Sequence, residues 1–429
     1  MRNKEMNLIL FFFLLLIGPQ VHCSDHFPGH HNHQYAQRHE LSYEVPEDIS
    51  NFHKIVSSNT DFAFRLYKQI VTNTTAQNVF FSPLSISAAF SLLTLGAKGE
   101  TLNQINKALV FNLSEIEEKE IHDGFRQLIQ VLNRPHKQAQ VSIGNALLIS
   151  DSFEVSSTFL EDVKTWYKAK AFSVNFGNPT LVKKQINAYV KRKTHGKIPH
   201  AYEDLGGNSV MVILNYIYFK GSWEMPFDPA STREEDFFVD SATTIKVNMM
   251  FQTGGYRVLH DERLSCSVVQ MPYKGDATAW FILPDDGKLN DVEASLGKET
   301  FSNWMTTVRQ IYIELYIPKC SITTSYDLKQ LMQGLGVIDA FNGAAADLSG
   351  IDGGRNLFVS QATHKAILNI QENGTEAAAL TRIKIDIASG LSHPPTIRFN
   401  RPFLMAITDN STQSMVSMGK IVNPNNSGI

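Results

Sequence analysis

Polar Asn59-Thr60 is followed by apolar Phe62, Leu66, Tyr67, Ile70 and Val71 at helical spacing, which predicts an amphipathic helix with structure starting near Ser57. Val210–Phe219 is a mostly apolar run suited to a buried strand, and Thr278–Leu283 is a second one, ended by Pro284. Ile311, Ile313, Leu315 and Ile317 alternate with Tyr312, Glu314 and Tyr316, the period of a strand with one buried face. Helical runs such as Phe159–Lys168 and Tyr326–Leu335 fall between strands, and no fixed-period repeat stands out. The pattern predicts an α+β architecture.

The first residues read differently. Arg2 and Lys4 precede a short apolar run, Leu8–Ile17, and Val21-His22-Cys23 offers a cleavage site, so residues 1–23 are expected to be a secretory signal and the mature chain to begin near Ser24. Residues 24–53 are polar and carry His26, His30, His31, His33 and His39 without a sustained period, and are read as a flexible tail with no metal site. Residues 54–429 are expected to form the folded domain.

Loss of Cys23 would leave only Cys266 and Cys320. Both lie in apolar, strand-like stretches and are read as buried small hydrophobes, with one bridge between them as the open alternative. A formal net charge of -3 gives no whole-chain attraction to nucleic acid, and no later stretch is apolar enough to span a membrane. Asn73, Asn112, Asn373, Asn410 and Asn425 open Asn-X-Ser/Thr sequons, which fits a secreted glycoprotein. There is no Gly-X-Ser-X-Gly elbow, no His-Glu-X-X-His helix and no phosphate-binding glycine loop, so neither an enzyme nor a cofactor is expected.

Phe80-Phe-Ser-Pro-Leu-Ser-Ile-Ser87, Leu214-Asn-Tyr-Ile-Tyr-Phe-Lys-Gly-Ser-Trp223, Gly374-Thr-Glu-Ala-Ala-Ala379, Phe399-Asn-Arg-Pro-Phe403 and Gly419-Lys-Ile-Val-Asn-Pro424 occur in the order and spacing found in serpins. From Ser57 to Pro424 the chain resembles that family, and within it the group of antitrypsin, antichymotrypsin and kallistatin. The resemblance implies three β-sheets, about nine helices and an exposed reactive-centre loop. It also implies a monomeric inhibitor of an extracellular serine protease, or, as the alternative, a non-inhibitory carrier of a small hormone-like ligand. Ser82, Ser85, Asn215 and His364 match the family's shutter, a polar cluster under the strands that part when the loop enters. Trp223, Lys319 and Glu372 match its breach, where insertion begins. The sequence departs from the family at Asn248, where relatives usually carry Pro, and at Ser417, where they usually carry an apolar residue; both are expected to cost stability.

In the loop, Thr375, Ala377, Ala379, Thr381, Ile383, Ile385 and Ile387 share one strand parity, small or apolar throughout, while Glu376, Ala378, Leu380, Arg382, Lys384 and Asp386 share the other. No proline interrupts them, as entry into the middle of a sheet requires. The resemblance places the hinge at Glu372, Gly374, Thr375, Glu376, Ala377, Ala378 and Ala379. Counting forward from Glu372 with the usual family loop length puts the scissile bond at Ala388-Ser389, which suits elastase-like proteases. Counting back from Pro394-Pro395 puts it at Leu391-Ser392 and a chymotrypsin-like target. The basic residues Lys183, Lys184, Lys191, Arg192, Lys193, His195 and Lys197 read as a solvated face, with heparin as the alternative partner.

Overall fold

The computed structural model describes residues 50–427 apart from 73, 75, 135–138, 202–205 and 375–393. The reactive bonds, the hinge residues from Thr375 to Ala379 and the Asn73 sequon position thus lie outside the described residues.

The strands in chain order are β1 (Val79–Phe81), β2 (Gln140–Ser150), β3 (Lys170–Val174), β4 (Met211–Lys220), β5 (Arg233–Phe238), β6 (Thr244–Asp261) and β7 (Cys266–Pro272). They continue as β8 (Ala277–Pro284), β9 (Arg309–Pro318), β10 (Cys320–Asp327), β11 (Gln361–Ile370), β12 (Thr396–Arg398), β13 (Phe403–Asp409) and β14 (Met415–Ile421). A five-stranded sheet has the order β10-β11-β4-β2-β3, and a nine-stranded sheet runs β1-β14-β13-β8-β7-β6-β9-β12, with β5 paired to β6 off this path. The expected second and third sheets are continuous here because β6, at 18 residues, pairs with β5 over its first part, with β9 from Met249 to Val258 and with β7 at its end.

The apolar run predicted as a strand is β4, at the centre of the five-stranded sheet and buried on both faces. Val212, Leu214 and Tyr216 pack under the helix Pro179–Lys193 through its Val182, Ile186 and Val190. Met211, Ile213, Ile217 and Phe219 face the main core, which also holds the fully buried helix Pro83–Thr94. A strand covered on both faces has no polar alternation, which is why this one reads as a continuous apolar run. Tyr216 finds room because its cross-strand partner is Gly144; a Cβ there would lie 1.9 Å from the Tyr216 ring.

Two boundaries and the burial of one residue differ from the sequence reading. The first helix, Ser50–Val71, begins ahead of Ser57, because Phe52, Ile55 and Val56 continue the apolar stripe and are buried. Tyr326 and Asp327 close β10 instead of opening a helix; the Asp327 carboxylate caps the helix Leu328–Gly334 by accepting from the Lys329 N–H at 2.9 Å. In β9, Ile313, Leu315 and Ile317 are buried as the alternation requires, but Ile311, near the strand's start, is exposed.

Cys266 and Cys320 are both free and buried, and burial pushes each thiol up to about 12. The alternative of a bridge between them does not hold. Of the two departures from the family pattern, Asn248 is exposed, with its carbonyl accepting from the Lys319 N–H. Ser417 is fully buried in β14, and its Oγ has no hydrogen-bond partner among the described residues. Ser417→Ala removes that unmet hydroxyl and is expected to stabilise the fold by about 1 kcal/mol in urea unfolding; a loss of stability would mean the hydroxyl is satisfied.

Candidate functional site

Strands β4 and β11 run parallel, in register from Gln361 opposite Val212 to Ile367 opposite Tyr218. A parallel pair that parts leaves two edges facing the same way, so one strand antiparallel to both can complete ladders on either side. Two groups of residues bear on this seam: a polar row across its middle and a turn at its upper end.

The row runs through four strands in register: Tyr326 of β10 opposite His364 of β11, His364 opposite Asn215 of β4, and Asn215 opposite Asn145 of β2. The Ser82 backbone N–H donates to His364 Nε2 at 3.1 Å, which places the imidazole proton on Nδ1, and Nδ1 donates to Asn215 Oδ1. Asn215 Nδ2 then donates to Asn145 Oδ1 at 2.6 Å and to the Ser85 carbonyl at 2.8 Å. Ser82 is the N-cap of the helix Pro83–Thr94, where Pro suits the first turn; its Oγ accepts from the Ser85 N–H and donates to the Val416 carbonyl. His364 is fully buried, and burial pushes its imidazole down to about 3. The neutral ring is what allows Nε2 to accept. Parting β4 from β11 would break the His364–Asn215 bond, so the row helps to close the seam.

At the upper end the chain leaves β11 and reverses. Gln371 and Gly374 exchange backbone hydrogen bonds at 3.0 Å each, and Gly374 also bridges antiparallel to Ser222, just beyond β4. Gly374 therefore already sits between the continuations of β11 and β4, antiparallel to both. The turn is tied down from the β4 side: the Trp223 N–H donates to the Asn373 carbonyl at 3.0 Å and the Phe227 N–H to the Glu372 carbonyl at 2.8 Å. Trp223 Nε1–H donates to the Gln371 carbonyl at 2.9 Å, and the indole, stacked 4.2 Å from Tyr273, is buried. Gly374 has φ +120°, and a Cβ there would lie 2.1 Å from the Gly221 carbonyl oxygen; only glycine fits.

Lys319 Nζ meets Glu372 at 2.9 Å, and the Thr232 hydroxyl donates to Glu372 Oε1 at 3.0 Å. Burial alone would raise the Glu372 carboxyl, but the bonds from Lys319 and Thr232 outweigh it and hold the group below its usual value. The Lys319 side chain is 35% exposed, so its charge is largely screened. Lys319→Ala is expected to cost about 1 kcal/mol or less of stability. A loss several times larger in chemical denaturation would show that the pair works as a buried bridge.

The structure thus brings Ser82, Ser85, Asn215 and His364 together in one cluster, and Trp223, Lys319 and Glu372 in another. It adds Asn145, Tyr326, Thr232 and Phe227, which the sequence reading did not single out. Asn145 had a signal, as the polar residue inside the run from Ile143 to Ile149; the others join through strand register and tertiary contact. Of the sequon residues, Asn112, Asn410 and Asn425 are exposed and Asn373 is half-buried. Lys184, Lys191, Arg192, Lys193, His195 and Lys197 are exposed on or just beyond the helix over the seam's sheet, and Lys183 is half-buried. Among the described residues no cluster of His, Cys, Asp and Glu suits a metal ion, and no helix is long and apolar enough to cross a membrane.

A seam of parallel strands, a polar row beneath it and a turn seated at its mouth are what the serpin motifs imply, and the family model for serpins, serine protease inhibitors, matches residues 57–424. The chain belongs to the serpin family. It is 45% identical over 372 residues to alpha-1-antiproteinase of Callosciurus caniceps, covering 87% of this chain and 89% of that one. It is 46% identical over 375 residues to alpha-1-antichymotrypsin of Homo sapiens, covering 86% and 88%. Among solved structures it is similar to human thyroxine-binding globulin, with TM-score 0.83, 40% identity and coverage of 88% and 100%. Human glycosylated kallistatin is similar at TM-score 0.81, 42% identity and coverage of 88% and 99%. The protease-inhibitor relatives are not enzymes.

Proposed function

We propose that this serpin is a secreted suicide substrate that offers its 375–393 segment as bait to an extracellular serine protease. The protease serine attacks the scissile carbonyl, the peptide bond breaks, and an acyl ester joins the two proteins while the new amino terminus leaves with the C-terminal piece. Hydrolysis of that ester then competes with entry of the cut loop between β4 and β11. If entry comes first, the tethered protease is dragged along the sheet and its catalytic geometry is lost. The observation that carries this reading is the seat of Gly374, because the chain is already placed between β11 and β4 with the direction that an inserted strand needs. Trp223, Lys319 and Glu372 hold that mouth, and the row of Ser82, Ser85, Asn215 and His364 holds the seam behind it.

The proposed bond is Ala388-Ser389, with an elastase-like partner, because three further residues before the cut would slacken the pull on the protease. The alternative is Leu391-Ser392 with a chymotrypsin-like one. The chain acts as a monomer, with N-glycans at its exposed sequons. Heparin is the optional partner of the cationic helix, tested by salt-dependent elution from a heparin column. Incubation with a panel of serine proteases should give an SDS-resistant complex and a released peptide beginning at Ser389. A start at Ser392 selects the alternative bond, and a start at Ile383 or Ile385 marks a cut too near the hinge to trap. Cleavage without any complex would refute inhibition.

The likeness to thyroxine-binding globulin, solved as a complex with thyroxine, favours a second reading in which the chain carries a small hormone-like ligand. Equilibrium binding of thyroxine or cortisol, together with a failure to trap any protease, would select it.

A further inference from the structure

Between Lys164 and Ala201 the sequence carries nine Lys and Arg residues and no Asp or Glu, in a chain whose net charge is -3. The fold turns this stretch back on itself. β3 is the outermost strand of the five-stranded sheet, and the chain leaves it, turns at Asn178 and returns as the helix Pro179–Lys193. The last turn of the helix thereby meets the start of the strand, with the Phe172 ring 5.1 Å from the Tyr189 ring. Two cations stand on this pair: Lys170 Nζ lies 4.7 Å from the centre of the Phe172 ring, and the Arg192 guanidinium 5.8 Å from that of Tyr189. Tyr189 also shares a hydrogen bond with the Tyr216 hydroxyl, which anchors the pair to β4.

Lys164, Lys168, Lys170, Lys191, Arg192 and Lys193 are all exposed, and none is in an ion pair among the described residues. The negative end of the helix dipole accounts for Lys191, Arg192 and Lys193 in the last turn. It does not account for Lys168 and Lys170, which reach the same corner from the strand side. Like charges gathered at one corner repel, and a polyanion relieves that repulsion. Because the rings already hold Lys170 and Arg192 in place, less side-chain freedom is lost on binding. The same contacts decide the class of polyanion. Both rings are half-buried and turned to each other and to the two cations, so they offer no open platform for the stacked bases of a single-stranded nucleic acid. Sulfate groups need only fixed positive charge.

We propose that the corner between β3 and the end of the helix Pro179–Lys193 is a docking site for a sulfated polysaccharide, with Lys168 and Lys170 as necessary to it as Arg192 and Lys193. The inference rests on the secreted reading above, and it extends the cationic surface from the helix alone to the edge of the sheet.

The test uses the full chain and a size-fractionated heparin oligosaccharide, with affinity measured by titration over a series of salt concentrations. Lys170→Ala and Arg192→Ala are each expected to weaken binding about five-fold at physiological salt. Each should also lower the slope of log affinity against log salt by about one. Lys288→Ala, which removes the same charge from a different part of the chain, is expected to change neither. Phe172→Leu keeps every charge but takes away the ring under Lys170, and is expected to weaken binding without changing the slope. Hyaluronan, which carries carboxylates but no sulfate, and single-stranded DNA are expected to bind more weakly than heparin. An equal effect of Lys288→Ala and Lys170→Ala would mean general attraction between charges, and full affinity in Lys170→Ala would confine binding to the helix. Either result overturns the proposal, as does tighter binding of hyaluronan or DNA. Secretion is read separately, from the chain's presence in culture medium, so a chain retained in cells would sink the secreted reading without altering the measured affinities.

Discussion

Gly374→Val is expected to reduce the yield of protease complex by more than about ten-fold while leaving cleavage of the loop intact. The added side chain meets backbone rather than flexible side chains: its Cβ would lie 2.1 Å from the Gly221 oxygen, 2.7 Å from Ser222 Cα and 2.8 Å from Trp223 N. The φ of +120° is also costly for a β-branched residue. Neither strand end can retreat without unpairing β4 or β11, so the turn must leave its seat. That removes the hydrogen bonds to Asn373 and Glu372 and moves the first inserting residue away from the gap. Insertion then begins from outside, and about 1.4 kcal/mol added to its barrier already tips the partition ten-fold toward hydrolysis. The measurement is the ratio of SDS-resistant complex to cleaved chain. An unchanged ratio would show that the seated turn is irrelevant to trapping.

His364→Leu is expected to destabilise the chain by about 2–5 kcal/mol at neutral pH, because it strands the Ser82 N–H and Asn215 Oδ1 in a buried place. The same histidine makes a pH-dependent contribution whose sign follows from its burial. In the unfolded chain the imidazole takes a proton below about pH 6.5, whereas the native ring resists until about 3. Acid therefore favours the unfolded chain. The contribution is complete above about 6.5 and is lost progressively as the pH falls toward 3. Urea unfolding of the parent and the variant should show their difference shrinking by about 2 kcal/mol between pH 7.5 and pH 5. A constant difference would mean that His364 is not held neutral.

Much of this arrangement was legible before the fold was known, for reasons that differ by element. Strand β4 announced itself because burial on both faces demands an unbroken apolar run, and Asn215 was visible within it as the polar exception. Its partners were less visible. That Asn145, His364 and Tyr326 stand beside Asn215 follows from the register of four strands drawn from distant parts of the chain, which no local period encodes. Ser82 could be read as a helix cap from Ser-Pro-Leu-Ser, yet its role as donor to His364 depends on how the helix sits under the sheet. Gly374 was legible as a small hinge residue, but the need for glycine itself came from the backbone of Gly221, Ser222 and Trp223 pressing against it. The β10 boundary was misread because Tyr326 continues the helical apolar pattern, while pairing with β11 keeps it extended.

The central claim is that the cut loop becomes a strand between β4 and β11, and heat unfolding before and after a single cut in the loop tests it most directly. Insertion would bury the face that holds Ile383, Ile385 and Ile387, at about 1.5–3 kcal/mol for each isoleucine. For a domain of this size that corresponds to a rise in Tm of roughly 5–10 °C. A cleaved chain that unfolds at the same temperature as the intact one, or below it, would contradict the account.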